Sequence, residues 1–529
     1  MKLLSKKLYS VAATVFALSY LAGCKSKDSS PKAILSDVQE ARIGLSEKAL
    51  ALDPRQAKTL SSMNICQLLY EGLTRCDQKG NILPAMAENI QISPDMKTYT
   101  FKIRSSKWSN GDLVTAADFE HSWKSQLNPQ TKSDCCYLLF PIKGAMDAAY
   151  GKASIDSIGV QAPDDTTLVV TLENPTPYFL QLTSTTAYYP INKKELQVTN
   201  GPFMIASLAT GEAIELAKNE QYWDKANIHL NKINFCLKDD LDLTTLFEKG
   251  QLDWIGAPVS QMAQDALDNL KANGSFTIAP AAGTQFLRVN VEKGPFINAK
   301  IRKAFCLAVD NQAIVDTVMQ GNQLVATNFL PPMIAPTEKQ YYTPHDLQAA
   351  RELFEQGLGE INQSRQNISP VKLMYISSQK QDQMAQALAQ NWKEAFDVNV
   401  DLDPCEPKAF YKKLFAGNYD LASSSWFADY FDPMSFLSIF QYKENGTNAT
   451  GWSNADYTRL LEQSCLEIDP QKRTDLLLQA QDILMNEMPV LPLFHFSFSF
   501  AKNPQLQAEL SPLGAMQLSQ GYVTVAPAK

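Results

Sequence analysis

The chain has 529 residues, of which 45% are hydrophobic and 20% charged, and its net charge is −8. This length exceeds what one hydrophobic core usually supports, so we expect two or three globular domains. The acidic balance argues against a nucleic-acid partner, because phosphate binding requires clustered Lys and Arg side chains.

The N-terminus has the pattern of an export signal. Three lysines among the first seven residues precede an apolar segment, residues 8–23, which is too short for a comfortable membrane span. The segment ends in Leu-Ala-Gly-Cys at Cys24, which looks like a lipobox with an acylated cysteine. An ordinary signal peptide with a chance cysteine is the alternative. We predict a signal peptide over 1–23 and a lipid-anchored tether over 24–32.

The other eight cysteines predict no particular framework. Export permits disulfides, but their pairing cannot be deduced from sequence, and buried free thiols suit a chain of this size equally well. The adjacent Cys135 and Cys136 lack metal-ligand spacing, and the four histidines are scattered. The sequence predicts no metal and no other cofactor.

Strand and helix patterns alternate from about residue 38 onward, which predicts an α/β fold. Strands are predicted where β-branched or aromatic residues alternate with polar ones, at Thr98–Arg104, Thr166–Leu172 and Ala213–Lys218. Helices are predicted where apolar residues recur every three or four positions, at Ala299–Met319, Asp346–Gly357, Gln381–Phe396 and Asp469–Met488.

Common catalytic signatures are missing from the sequence. It contains no phosphate-binding loop, no Gly-x-Ser-x-Gly elbow and no His-Glu-x-x-His zinc motif. A catalytic triad needs no local motif, so this absence only shifts the weight toward a binding protein. We expect no enzymatic activity.

A series of short motifs runs along the chain from about Leu52 to Phe494. They are LDP at 52–54, YEGL at 70–73, LPAMAE at 83–88, KWSNGD at 107–112, TAADF at 115–119, NGPF at 200–203, NEQYW at 219–223, GQLDW at 250–254, PF at 295–296 and WFADY at 426–430. In this order they resemble the dipeptide- and oligopeptide-binding proteins of ABC importers. Most of them are expected to serve turns, helix caps and packing.

The resemblance implies the class II periplasmic-binding-protein fold, with two lobes that close over a buried ligand and an extra third domain. The implied divisions are 33–62, 193–282 and 489–529 for lobe I, 63–192 for the extra domain and 283–488 for lobe II.

Asp429 is the main candidate for ligand binding. It lies among aromatic residues, and residues 422–441 contain no Lys or Arg. A carboxylate in such a setting is costly unless it is paired, so its partner is either a distant residue or a ligand ammonium. The resemblance implies that Asp429 captures the free α-amino group of a peptide. A structural salt bridge or helix cap is the alternative.

The neighbours of Asp429 are expected to contact the same ligand. Trp426 would line a side-chain pocket, and Phe427, Ala428 and Tyr430 complete the predicted ligand-binding group. Some oligopeptide binders place a cation shortly before this Trp to meet the peptide carboxylate. Here that position falls in Ser423–Ser425, which contains no cation. Either another group binds the peptide carboxylate, or the preferred ligands differ in length or in C-terminal chemistry.

The expected function is capture of short peptides for delivery to an ABC permease and ATPase. The protein is expected to be a monomer that touches the membrane only through its lipid anchor, with its body in the periplasm or at the extracellular face. Alternatives within the family are binding of murein peptides, haem or metal chelates. Alternatives of other classes are a secreted peptide or cell-wall hydrolase, and a surface adhesin or chaperone.

Overall fold

The computed structural model describes residues 34–525, apart from residues 48, 78, 79, 210, 264, 265, 336, 338 and 445. The predicted signal peptide and the acylation site at Cys24 lie outside the described residues. Among the described helices, none has both the length and the apolar character needed to cross a membrane.

Strands and helices alternate along the described chain, as the sequence pattern predicts. The strands are β1 (Glu40–Leu45), β2 (Thr74–Cys76), β3 (Ile82–Pro84), β4 (Ala87–Ile92), β5 (Thr98–Ile103), β6 (Val160–Asp164), β7 (Thr167–Thr171), β8 (Phe203–Ala209), β9 (Ala213–Lys218), β10 (Lys232–Leu237), β11 (Trp254–Gly256), β12 (Phe276–Val289), β13 (Leu324–Val325), β14 (Val371–Ile376), β15 (Val400–Cys405), β16 (Leu421–Phe427), β17 (Val490–Lys502), β18 (Leu506–Gln507) and β19 (Tyr522–Val523). The helices are α1 (Leu60–Leu69), α2 (Ala116–Leu127), α3 (Ala145–Ala149), α4 (Phe179–Leu182), α5 (Asp240–Glu248), α6 (Leu267–Ala272), α7 (Ala299–Leu307), α8 (Asn311–Ala313), α9 (Leu347–Glu360), α10 (Gln379–Phe396), α11 (Pro407–Phe415), α12 (Met434–Leu437), α13 (Ala455–Leu466) and α14 (Pro470–Glu487).

One mixed sheet runs through most of the molecule. Its strand order is β15-β14-β16-β12-β17-β11-β1-β10-β9-β8, and β13 pairs with β17 beside this path. The pairs β14–β15 and β1–β10 are parallel, whereas β12–β16 and β12–β17 are antiparallel. Strands β12 and β17 therefore lie in the middle of the sheet and join its two halves.

Strands β12 and β17 are long enough to belong to both halves. The first part of β12 pairs with the end of β17, and the second part, from Thr284 to Arg288, pairs with the beginning of β17. The register shifts between Pro280 and Thr284. Such an irregularity bends a strand locally. The bend lies at Ala282, whose N–H donates to Pro512 O at 2.7 Å instead of to the neighbouring strand.

A separate antiparallel sheet has the order β4-β5-β7-β6. Tyr99, Phe101 and Ile103 of β5 are buried, as their alternation predicts. Helix α2 packs against this sheet, and its Phe119 and Trp123 side chains are buried. The Asp118 carboxylate accepts a bond from Thr115 N–H at 2.8 Å, so the TAADF motif forms a capping box at the start of α2.

The helix predicted over Ala299–Met319 is wrong as one continuous element. Helix α7 ends at Leu307, and a new helical segment begins after Asp310, whose carboxylate accepts a bond from Ala313 N–H at 2.9 Å. A capping Asp inside an amphipathic pattern stops one helix and starts another. The predicted helices that became α9, α10 and α14 are confirmed, with Asp346 capping α9 and Asp469 capping α14.

The eight cysteines of the described chain are free thiols. Burial raises the pKa of the Cys306 thiol to about 12 and that of Cys135 to about 11. These thiols stay protonated at neutral pH and behave as small apolar side chains.

Candidate functional site

Strand β16 is paired on both sides only at its beginning. Strand β12 pairs with it along its whole length, from Leu421 to Phe427. On the other side, β14 pairs only with Leu421 and Ala422. The later residues of β16 therefore have an edge that no described strand covers.

Main-chain groups of Ser425 and Phe427 point to this uncovered edge. Ala428 N–H donates to Ala282 O at 2.7 Å, which fixes the phase of hydrogen bonding between β16 and β12. Because hydrogen-bonded residues alternate in an antiparallel pair, the amides and carbonyls of residues 425 and 427 point away from β12. An extended ligand chain can add to such an edge through main-chain hydrogen bonds.

Asp429 lies just beyond the end of β16 and is half-buried. Its Oδ1 accepts a hydrogen bond from the Tyr137 hydroxyl at 2.9 Å, and its own N–H donates to Ser435 Oγ at 2.9 Å. Among the described residues, no Lys, Arg or His forms an ion pair with it. The carboxylate is thus held in place by a neutral donor and has no counter-charge from the part of the chain that the structure describes.

Burial raises the pKa of Asp429 to about 6, and the Tyr137 hydrogen bond opposes this shift. A carboxyl group with such a pKa is still mostly ionised at neutral pH, although its charge is poorly solvated. Approach of a cationic ligand group would relieve this cost. The site is therefore electrostatically prepared for a positive charge.

Asp432, three residues further on, shows how this fold treats a structural carboxylate. Its two oxygens bind Arg473 in a fork, with Nη1–Oδ2 at 2.7 Å and Nη2–Oδ1 at 2.8 Å. Its Oδ1 also accepts a bond from Met434 N–H at 2.9 Å. Asp432 is fully paired within the protein, whereas Asp429 is not.

A cavity of about 590 Å³ lies beside Asp429, and we call it the large cavity. Its wall includes α1, the loop 511–516, Ala282 at the bend of β12, and the three consecutive residues Phe427, Ala428 and Asp429. This volume falls in the usual range for sites that bind small ligands. The candidate carboxylate therefore lines a cavity of ligand size.

A second pocket of about 360 Å³ lies along the uncovered edge of β16, and we call it the small pocket. Phe410, Tyr411 and Phe415 of α11 form its apolar side together with Trp426. The Trp426 indole N–H donates to Ser435 O at 2.8 Å, which fixes the ring. Consecutive residues at the end of β16 therefore line both spaces, Trp426 the small pocket and Phe427 the large cavity.

The structure places the predicted ligand-binding residues unequally. Phe427, Ala428 and Asp429 line the large cavity, and Trp426 lines the small pocket. Tyr430 is buried and stacks on Tyr178 at 4.8 Å, so its ring packs between elements rather than facing the cavity. The binding roles of all five residues stay predictions.

Sequence analysis missed Tyr137, the hydroxyl partner of Asp429. The two residues are 292 positions apart. Tyr137 follows Cys135 and Cys136 in a segment without a distinctive pattern, and no signal in the sequence connects it with Asp429. Only the fold brings them together.

The long sheet that joins two halves, the bend between them and the cavities beside it define a two-lobed ligand-binding protein. The family model described as "Bacterial extracellular solute-binding proteins, family 5 Middle" matches residues 81–448. The chain belongs to this family, as the motif order predicts.

Known relatives extend the match over nearly the whole chain. The oligopeptide-binding protein OppA of Bacillus subtilis is 37% identical over 506 residues, which cover 92% of each chain. The unliganded open form of MppA, a periplasmic murein tripeptide binding protein, has a TM-score of 0.80 at 26% identity and covers 94% of this chain and 99% of its own. Haemophilus influenzae OppA in complex with RPPGFSPFR has a TM-score of 0.75 at 27% identity and covers 93% of this chain and 100% of its own. These similarities confirm the α/β two-lobe fold.

Proposed function

We propose that this protein captures short peptides outside the cytoplasm and delivers them to the permease of an ABC importer. The observation that carries the proposal is the Asp429 carboxylate at the end of β16, which forms no ion pair with the described residues and lies next to an uncovered strand edge and a cavity. The free α-ammonium group of a peptide would supply the positive counter-charge for the Asp429 carboxylate. The main chain of an extended peptide matches the strand edge.

In this proposal, affinity and tolerance come from different parts of the site. Main-chain bonds to residues 425 and 427, together with the Asp429–ammonium pair, are independent of peptide sequence. The Trp426 ring offers a large contact area with little rotamer entropy to lose, so it accepts varied side chains. Such a division suits a receptor that accepts peptides of varied sequence.

The remaining features of the proposal concern the whole chain. Residues 1–23 direct export, Cys24 carries the lipid anchor, and the body acts as a monomeric receptor without enzymatic activity. Residues 63–192 form the extra domain, and residues 283–488 form the lobe that carries Asp429 and closes on the remainder.

Calorimetric titration with two peptide pools tests the proposal. The purified protein is unfolded and refolded to remove carried-over ligand, and is then titrated with a pool of tri- to pentapeptides and with the same pool after N-acetylation. We expect saturable binding of the free peptides, weakened at least tenfold by acetylation, because loss of one charge-assisted contact costs about 1.5–3 kcal/mol. Equal binding of both pools would remove the role of Asp429, and binding of neither by the folded protein would overturn the function.

Peptide affinity is also expected to depend on pH. Binding an ammonium requires the ionised form of Asp429, whose pKa burial raises to about 6. Below that pH, binding must displace a proton, so the dissociation constant should rise about tenfold for each further pH unit. Titrations between pH 7.5 and pH 5 measure this slope. The Asp429→Asn variant should show no such slope, whereas a slope that persists in it would assign the titration to another group.

A further inference from the structure

Arg288 on β12 is a buried cation that meets no counter-charge within the described residues. Its side chain is 5% exposed, and it lines the small pocket. Its Nη1 donates to Asn448 O at 2.6 Å. Its Nε has no hydrogen-bond partner among the described residues. No Asp or Glu of the described chain forms an ion pair with Arg288.

Arg302 shows that this fold can satisfy a buried guanidinium with its own groups. Its Nε donates to Glu487 O at 2.7 Å, and its Nη1 donates to Phe296 O at 2.8 Å. Burial lowers the pKa of both arginines to about 10. Arg302 thus donates from both Nε and Nη1 to main-chain carbonyls, whereas Arg288 donates to the described residues from Nη1 only.

An incompletely paired buried guanidinium is costly to keep. The guanidinium carbon Cζ of Arg288 lies 5.4 Å from the ring centroid of Phe286 and 5.5 Å from that of Phe440. These cation–π contacts offset only a small part of the cost of burying the charge. The described residues offer this buried cation one hydrogen bond and two aromatic rings, but no carboxylate. A ligand that brings a negative charge into the small pocket supplies the missing partner.

We propose that the small pocket receives a carboxylate of the bound peptide and that Arg288 binds it. This inference rests on the proposed peptide function and adds the group that meets the negative charge. A chain of polar groups lies in the same pocket, where Gln285 Nε2 donates to Ser423 Oγ at 2.9 Å and Ser423 Oγ donates to Gln381 Oε1 at 2.8 Å. The carboxylate is either the C-terminal one or that of an acidic side chain.

The strand register sets the distance between the two charged ends of the site. Arg288 pairs with Ala422, which precedes Asp429 by seven residues. At about 3.3 Å per residue, this separation is at most about 23 Å along β16. An extended peptide of about five or six residues, with its amine at Asp429, brings its α-carboxylate close to Arg288. In this proposal Arg288 provides the positive charge for the peptide carboxylate, since the Ser423–Ser425 segment contains no cation.

Matched peptides on the wild-type protein and on an Arg288→Met variant test the proposal. Three versions of one pentapeptide are titrated by calorimetry, namely the free acid with an internal Glu, its C-terminal amide, and the free acid with Gln in place of Glu. We expect the wild type to lose about 10- to 100-fold in affinity for either the amide or the Gln version, as for a lost charge-assisted contact. The peptide version that loses affinity identifies the source of the carboxylate.

The variants separate this contact from general effects. The Arg288→Met variant should bind the peptide with and without the recognised carboxylate equally, at the low affinity that the wild type shows for the version without it. The Arg288→Lys variant should keep part of the wild-type preference for the carboxylate. Arg459→Met makes the same charge change at an exposed helix position and should leave all affinities unchanged. Should Arg288→Met fail to fold, the Lys variant and the wild-type peptide series still decide.

Two results would overturn the inference in distinguishable ways. Equal wild-type affinity for all three peptides would remove the carboxylate contact while leaving the peptide function intact. The same holds for an Arg288→Met variant that keeps the wild-type preference. Failure of the folded protein to bind any of them would remove the proposed function itself, and the inference with it.

Discussion

Replacing Asp429 with Asn is expected to weaken peptide binding about 30- to 150-fold. The substitution keeps the shape of the side chain and an oxygen that accepts the Tyr137 hydrogen bond, but removes the charge that an α-ammonium would meet. Loss of a charge-assisted contact in a partly buried site costs about 2–3 kcal/mol. Calorimetric titration of the variant with a peptide that the wild type binds measures the loss directly.

The acetylated version of the same peptide provides the control. The wild type should discriminate between the free and the acetylated peptide, and the Asp429→Asn protein should bind both with similar low affinity. This double comparison isolates the interaction between the carboxylate and the amine. If the variant still prefers the free amine as strongly as the wild type does, another group binds the amine.

The stability of the ligand-free protein should change in the opposite direction. Burial raises the pKa of Asp429 from 3.8 to about 6, so between these pH values the folded state holds a proton that the unfolded state has lost. The stability of the folded state therefore falls as the pH rises from about 4 to about 6. At pH 7 the ionised group therefore costs stability, by at most about 1–2 kcal/mol once its solvent exposure is considered. Asp429→Asn should unfold at the same or a higher urea concentration. A strongly destabilised variant would instead mark Asp429 as a structural residue.

The sequence predicts local elements well where local chemistry decides them. The strand at Tyr99, Phe101 and Ile103 follows from alternation with a polar face, and α14 follows from Asp469 with Pro470 at its start. The continuous helix over Ala299–Met319 is wrong because the apolar pattern continues across the capping Asp310. A hydrophobic pattern alone does not show where a helix is interrupted.

The candidate site is only partly predictable from the sequence. Asp429 stands out locally, since it is an acidic residue among aromatic ones without a nearby cation. Tyr137 is recognisable only from its contact with Asp429, which lies 292 residues away in the sequence. Arg288 is recognisable only because it is buried while its Nε lacks a hydrogen-bond partner among the described residues. Sequence patterns reveal such relations only when the fold is known.

Breaking the buried pair between Asp432 and Arg473 is expected to have the largest effect on stability. The side chains are only 6% and 14% exposed, and the fork ties α14 to the segment that follows Asp429. Arg473→Met leaves the Asp432 carboxylate buried without a counter-charge, which costs about 3–5 kcal/mol. Urea denaturation of the ligand-free protein, followed by tryptophan fluorescence, should show an earlier transition.

Two further variants distinguish the pair from its single charges. Adding Asp432→Asn to Arg473→Met removes the stranded carboxylate, so the double variant should recover part of the lost stability instead of losing more. Arg459→Met breaks an exposed pair with Asp456 and should change the free energy of unfolding by less than about 0.5 kcal/mol. An Arg473→Met protein as stable as the Arg459→Met control would show that the fork contributes little. In that case the different pairing of Asp432 and Asp429 would no longer separate a structural carboxylate from a binding one.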